Sequence, residues 1–233
     1  MSRRAWIWLL LALLSAALTA RLGWWQLDRA AQKRGLQAAQ LAEEARPPLG
    51  TTELLRSPAL HRRVELQGRW MAERSIWLEN RPMDGRVGFY VLTPLLLSGS
   101  DRAVLVQRGW VPRDAADRTR RPPLPDASGP VVVTGRLAAT PSRVYELGQG
   151  QGGVIRQNLD PAEYAVEAGI NLLPWVVVQT GDAGDGLLRH WPAADLGLQT
   201  HYGYAFQWFA LTALILGLYV WFQLVRPRLR QRA

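Results

Sequence analysis

From Tyr202 to Val225 the chain has no Asp, Glu, Lys or Arg, and those 24 residues make a helix of about 36 Å against a hydrocarbon core of about 30 Å. Such a run reads as a membrane span. Arg226, Arg228, Arg230 and Arg232 follow at once, the short basic tail expected on the cytoplasmic side. The His201 end of the span therefore faces the other compartment.

A second apolar run begins after Arg3 and Arg4. Ala5 to Ala20 is uncharged, and counting through Arg21 to Trp25 gives about 31 Å of helix; Arg21 can snorkel to the surface. The alternative is a cleaved secretory signal, with Ser15, Ala16 and Ala17 as small residues near a cleavage point. Trp24 and Trp25 make an interfacial belt, and the helical pattern continues past them to Glu44, which favours an uncleaved anchor. Arg46-Pro47-Pro48 ends that helix. With both ends basic, the expected topology is N-in, C-in. The expected divisions are a transmembrane helix at 5–25, an exoplasmic domain at 26–200, a second transmembrane helix at 202–225 and a cytoplasmic tail at 226–233.

Charge follows the same division. All 19 acidic residues lie between Asp28 and Asp195, whereas seven of the 28 basic ones lie outside that interval, so the middle holds 21 basic against 19 acidic. The net charge of +9 sits at the membrane ends and reads as topology, with no nucleic-acid partner expected. The absence of Cys excludes disulfides and thiolate metal sites. Met is scarce too, so a soft copper-carrying site is implausible. His61, His190 and His201 are too scattered for a metal-binding motif.

The middle reads as short strands with punctuation. Val64–Trp70 alternates, Ser75–Asn80 follows, and Asp84-Gly85 supplies hairpin chemistry before Val87–Leu92. Ala103–Gln107, Val131–Leu137 and Trp175–Gln179 are further apolar strands. The segments Val64–Trp70 and Val131–Leu137 each run into Gly-Arg, a faint echo of duplication. Asp160-Pro161-Ala162-Glu163 is a helix start that Gly169 closes. A long exposed loop is expected from Arg113 to Pro130 and a flexible hairpin tip at Gly148–Gly153, which lacks the ending of a phosphate loop. The expected class is an α+β membrane protein: two transmembrane helices flanking an antiparallel β-sheet or partial barrel with one or two short helices. No catalytic constellation is present in the sequence, so a binding role is expected rather than an enzyme.

At the head of the second span, His201, Tyr204, Ala205 and Trp208 fall at i, i+3, i+4 and i+7, which puts an imidazole, a phenol and an indole on one helix face. That face suits a flat, apolar, metal-bearing ligand. Interfacial anchoring by Tyr and Trp beside a wetted His explains the same residues without one.

Several segments occur together in a known order: Gly23-Trp24-Trp25-Gln26 with Arg29 and Lys33, Gly68-Arg69-Trp70, Asn80-Arg81, Thr93-Pro94-Leu95, Arg108-Gly109-Trp110-Val111-Pro112, and His201 to Phe209. From about Gly23 to Phe209 the chain resembles the surfeit locus protein 1 family, membrane factors for cytochrome c oxidase assembly. One departure is Gln107, where the family often has Asn. The resemblance implies a protein that binds haem a transiently and aids its insertion into or stabilisation in subunit I, beside the haem a synthesis machinery. It also implies His201 as the ligand to haem iron, with Trp25, Gln26 and Arg29 near the first span matching family positions. Tyr204 and Trp208 complete the expected set, in a cleft between the spans. A cofactor-free scaffold for nascent oxidase subunits is the alternative. The chain opens directly on Met-Ser-Arg-Arg before its first span, from which a bacterial inner-membrane location is expected.

Overall fold

A computed structural model describes residues 3–114, 116–117, 120–124, 129–145, 153–192 and 197–230. The chain divides into two compact units, one made of 1–38 with 194–233 and the other of 39–193. Parts of the expected loop Arg113–Pro130, most of Gly148–Gly153, and Arg232 in the tail lie outside the described residues.

The first unit is a pair of helices. Helix α1 runs Arg3–Ala45 and α4 runs Leu198–Val220, continuing through a π-helical turn at Trp221–Val225 into Arg226–Arg230. Both are long and apolar enough to cross a membrane. In α1 the buried positions Ala16, Thr19, Gly23, Gln26 and Ala30 are spaced alternately three and four apart, the seam of a left-handed helix pair. Small residues let the backbones approach. A Cβ on Gly23 would stand 2.8 Å from the Phe209 ring, and Thr19 Oγ1 lies 2.7 Å from Thr212 Oγ1. Trp24 meets the same Phe209 edge-on at 5.8 Å between ring centres. Contacts rise along α1 as they descend along α4, so the two helices are antiparallel. The π-turn has a cause in sequence: Pro227 brings no N–H for the Gln223 carbonyl and its ring crowds that carbonyl. The Arg226 N–H donates instead to Trp221, five residues back.

The second unit is a barrel. Its strands are β1 (Leu49–Gly50), β2 (Arg63–Trp70), β3 (Ile76–Met83), β4 (Arg86–Leu97), β5 (Ala103–Pro112), β6 (Pro130–Ala138), β7 (Ile155–Arg156) and β8 (Leu172–Gln179). Five of them close on themselves through the pairings β2–β6, β6–β8, β8–β5, β5–β4 and β4–β2, while β1, β3 and β7 extend the sheet. The parallel β5–β8 contact is the one departure from antiparallel pairing within the closed ring. Alternation fills the interior: Val64 and Leu66, Leu95 and Leu97, Val104 and Val106, with Val133 and Val177, are all buried in one cluster, each worth about 1.5–3 kcal/mol on leaving water. A second cluster, including Tyr90, Leu92, Leu105 and Val176, packs outside the barrel beneath α3 (Pro161–Ala168). Strand β5 is therefore buried on both faces.

Local signals behave as their chemistry requires. Asp84 and Gly85 take φ of 49° and 73°, a two-residue hairpin joining β3 and β4. Asp160 caps α3 by accepting from the Ala162 N–H at 2.8 Å, and Gly169 ends it at φ 62°. The echo between Val64–Trp70 and Val131–Leu137 acquires a meaning: these segments are β2 and β6, which pair with each other antiparallel, Val64 opposite Gly135 and Gly68 opposite Val131. Each glycine marks a close approach of a further strand. A Cβ on Gly135 would lie 2.5 Å from the Val178 carbonyl, and one on Gly68 would strike that of Leu96, so the pair lets the sheet curl shut. Helix α2 (Thr51–Arg56) and the two-residue strands β1 and β7 were not expected from sequence.

Candidate functional site

The hydrogen bond that defines the site joins the two helices. His201 Nδ1 lies 2.7 Å from Gln26 Oε1, across 175 residues of sequence. Gln26 is buried, whereas His201 is half-buried at the first turns of α4. An amide oxygen only accepts, so the imidazole Nδ1 carries a proton toward Gln26, and in the neutral ring Nε2 is then the nitrogen with the lone pair. This is the arrangement in which metal-binding histidines are held, with the distal nitrogen tied to an oxygen and the other free to ligate. The donor set suits haem iron, which takes imidazole nitrogen. Among the described residues no group of three or more His, Asp or Glu clusters as a metal site.

The other expected residues gather around that bond at different depths of burial. Trp25 and Tyr204 are 44% and 49% exposed, Trp208 is half-buried, and Arg29 is exposed. The Arg29 guanidinium sits 5.7 Å from the Trp25 ring centre and donates to Gln32 at 3.1 Å. A similar stack sets Arg34 5.8 Å from Tyr202. Gln26 thus holds the His201 ring by its Nδ1, and Trp25, Arg29, Tyr204 and Trp208 offer partly exposed surfaces. The helices touch at Gly23 and Phe209, so the pair is closed at that level.

The remaining histidines differ. His190 is exposed and its Nδ1 pairs with Asp84 at 2.8 Å. His61 occupies a left-handed turn, φ 66°, where its N–H donates to the Leu137 carbonyl.

The model of the SURF1 family matches residues 13–213. The chain belongs to the SURF1 family. Similar proteins include a SURF1-like protein of Rickettsia felis, 30% identical over 103 residues, which is 43% of this chain and 45% of that protein. Another is a SURF1-like protein of Rickettsia bellii, 23% identical over 216 residues, covering 90% of this chain and 88% of that one. The chain thus aligns with less than half of the R. felis protein and with most of the R. bellii one. The SURF1 match takes in both Gln26 and His201.

Sequence reasoning missed a buried cluster in the barrel unit. In β5, Gln107 pairs with Leu92 and Gly109 with Val91, so Arg108 is the extra residue of a bulge, which turns its side chain. The guanidinium stacks 4.5 Å from the Trp70 ring centre and lies 3.5 Å from Asp185, which Arg189 contacts at 2.6 Å. Only the Arg-Gly-Trp motif hinted at it. Arg81 is likewise buried, donating to the Ser142 and Gln157 carbonyls at 2.8 and 2.7 Å, and so ties distant loops to β3.

Proposed function

We propose that this chain is an assembly factor for haem-copper cytochrome c oxidase, a membrane chaperone rather than an enzyme, that binds haem a transiently and aids its insertion into or stabilisation in subunit I. Family membership supports the oxidase context, since SURF1 proteins are known as oxidase assembly factors. The observation that carries the haem reading is the His201–Gln26 bond, because it occupies Nδ1 and leaves Nε2 to serve as the metal donor at the head of a membrane span. In this reading His201 holds the iron, Tyr204 and Trp208 lie against the ring, and Arg29 faces the propionates at the interface. Bound haem would supply a redox-active iron; the chain's part is to hold and orient it. The haem a synthesis machinery is the source, and the location is the bacterial inner membrane, N-in and C-in.

The contact of Gly23 with Phe209 favours a second reading, because helices that close their seam need no cofactor between them. Here the chain is a scaffold for nascent oxidase subunits. The two are separated by co-expressing the chain with haem a synthesis and recording the spectrum of the purified protein. The haem reading expects a Soret band that copurifies with the chain; a colourless protein that still supports oxidase assembly contradicts it.

A further inference from the structure

Low on the helix pair, between α1 and α4, lies a mostly apolar groove of about 320 Å³ whose lining includes Leu11, Ala12 and Ser15 on one side and Ile215, Leu218 and Phe222 on the other, with Trp8, Tyr219 and Gln223 at its far end. Its position is not arbitrary. Trp25, Gln26 and Arg29 stand 14 residues after Leu11, Ala12 and Ser15, and His201, Tyr204 and Trp208 stand 14 residues before Ile215, Leu218 and Phe222. Fourteen residues are two heptads, which return a helix in a left-handed pair to the same face, with a drift of about 20° per heptad in a straight helix. The six residues of the haem reading therefore repeat the helical positions of these lining residues, Gln26 in the seam as Ala12 is and the others beside it, about 21 Å away along the axis. The surface between them carries Leu18 and Leu211, both exposed and apolar.

The groove's far end is formed where α4 widens into its π-helical turn at Trp221–Val225, which contributes Phe222. Such turns occur at functional sites more often than chance, because they displace side chains from the regular helical face. Here the cause is Pro227; the turn lies level with Trp8 of α1, which closes that end of the groove, while the small Ala12 and Ser15 lie opposite the last regular turns of α4.

We propose that this groove seats the isoprenoid tail of haem a while His201 holds the ring at the membrane surface. The inference rests on the haem reading above. Haem a carries charged propionates at one edge of its ring and a long apolar chain at another. A ring at the head of α4 puts the propionates at the interface, and the chain, extended down the flank, covers a span of the order that separates His201 from Ile215. The tail is then the part of the ligand that tells haem a from a tail-less haem.

The test uses the full chain in detergent, loaded with haem o, which carries the tail, or haem b, the same type of ring without it, and reads the rate of haem loss from the Soret band. The wild-type protein should release haem o about tenfold more slowly, the equivalent of burying about two methylene groups. Ala12→Phe and Ser15→Phe, which fill the groove, should bring haem o up to the rate of haem b and leave haem b unchanged; Leu13→Phe, on an exposed position of α1 outside the groove, should change neither. Equal rates for the two haems in the wild type, or an Ala12→Phe effect equal on both, would overturn the proposal. His201→Ala separates this inference from its premise. Faster loss of both haems supports the ligand reading whatever the groove does, whereas retention of both, with Ala12→Phe still releasing haem o, removes the iron ligand and keeps the tail site.

Discussion

Two buried arginines, Arg108 and Arg189, share one carboxylate, Asp185, leaving an excess of positive charge inside the barrel unit. Burial by itself raises the Asp185 carboxyl, but the Arg189 hydrogen bond and charge, the Leu187 N–H and Arg108 outweigh it and hold the group below its ordinary value of 3.8. A carboxyl lowered by folding contributes stability that is fully present above its unfolded value and is lost as pH falls through the folded one. Thermal melts of the wild-type protein should therefore fall off in the acid range below that ordinary value. Asp185→Asn should cost about 3–5 kcal/mol at neutral pH, because it leaves two guanidinium groups without their anion, and should flatten the acid fall. A variant as stable as wild type at neutral pH would show that the pair is dispensable. At this same scale the sequence marked His201 and Gln26 separately, the one by its place on a helix face and the other through a family resemblance. Their bond was not legible, since it depends on how two helices 175 residues apart in number align, which no local periodicity encodes.

Among the elements, strands and caps were readable where the signal is local. Asp84-Gly85 and Asp160-Pro161 carry their backbone chemistry in two residues, and the alternation of Val64–Trp70 survives as the buried face of β2. Closure of the barrel was not readable, because it depends on which distant strands approach Gly68 and Gly135. The bulge at Arg108 escaped for the same reason: an extra residue in one strand shows only against its partner. Gly135→Ala drives a methyl toward the Val178 carbonyl and should cost about 1–3 kcal/mol, the usual result of overfilling a packed site. Gly35, in the interior of α1 with nothing near its would-be Cβ, has the opposite expectation, a gain of about 0.5–1 kcal/mol for Gly35→Ala. Chemical denaturation of the two variants in detergent compares them directly. Equal shifts would mean that Gly135 is not a point of closure.

For the whole molecule, the segregation of charge is the feature that sequence and structure share. In the sequence, two helices long and apolar enough to cross a membrane bracket a nearly charge-balanced barrel unit, with basic residues beyond them, and the proposed orientation follows from those residues. A reporter active only outside the cytoplasm should work when inserted between Arg113 and Pro130 and fail when attached after Ala233; activity at Ala233 would overturn the N-in, C-in arrangement. The proposed haem binding turns, however, on one imidazole. The measurement that tests it most directly is the ratio of haem to protein, with the Soret spectrum, in wild type, His201→Ala, Gln26→Leu, His190→Ala and His61→Ala at equal expression after co-expression with haem a synthesis. His201→Ala should lose most of its haem, and Gln26→Leu should weaken retention by about 10–100-fold, as loss of a partner behind a metal ligand does, while the other two stay close to wild type. Haem retained by His201→Ala with an unchanged spectrum would contradict the account, and loss confined to His190→Ala would move the ligand to the barrel unit.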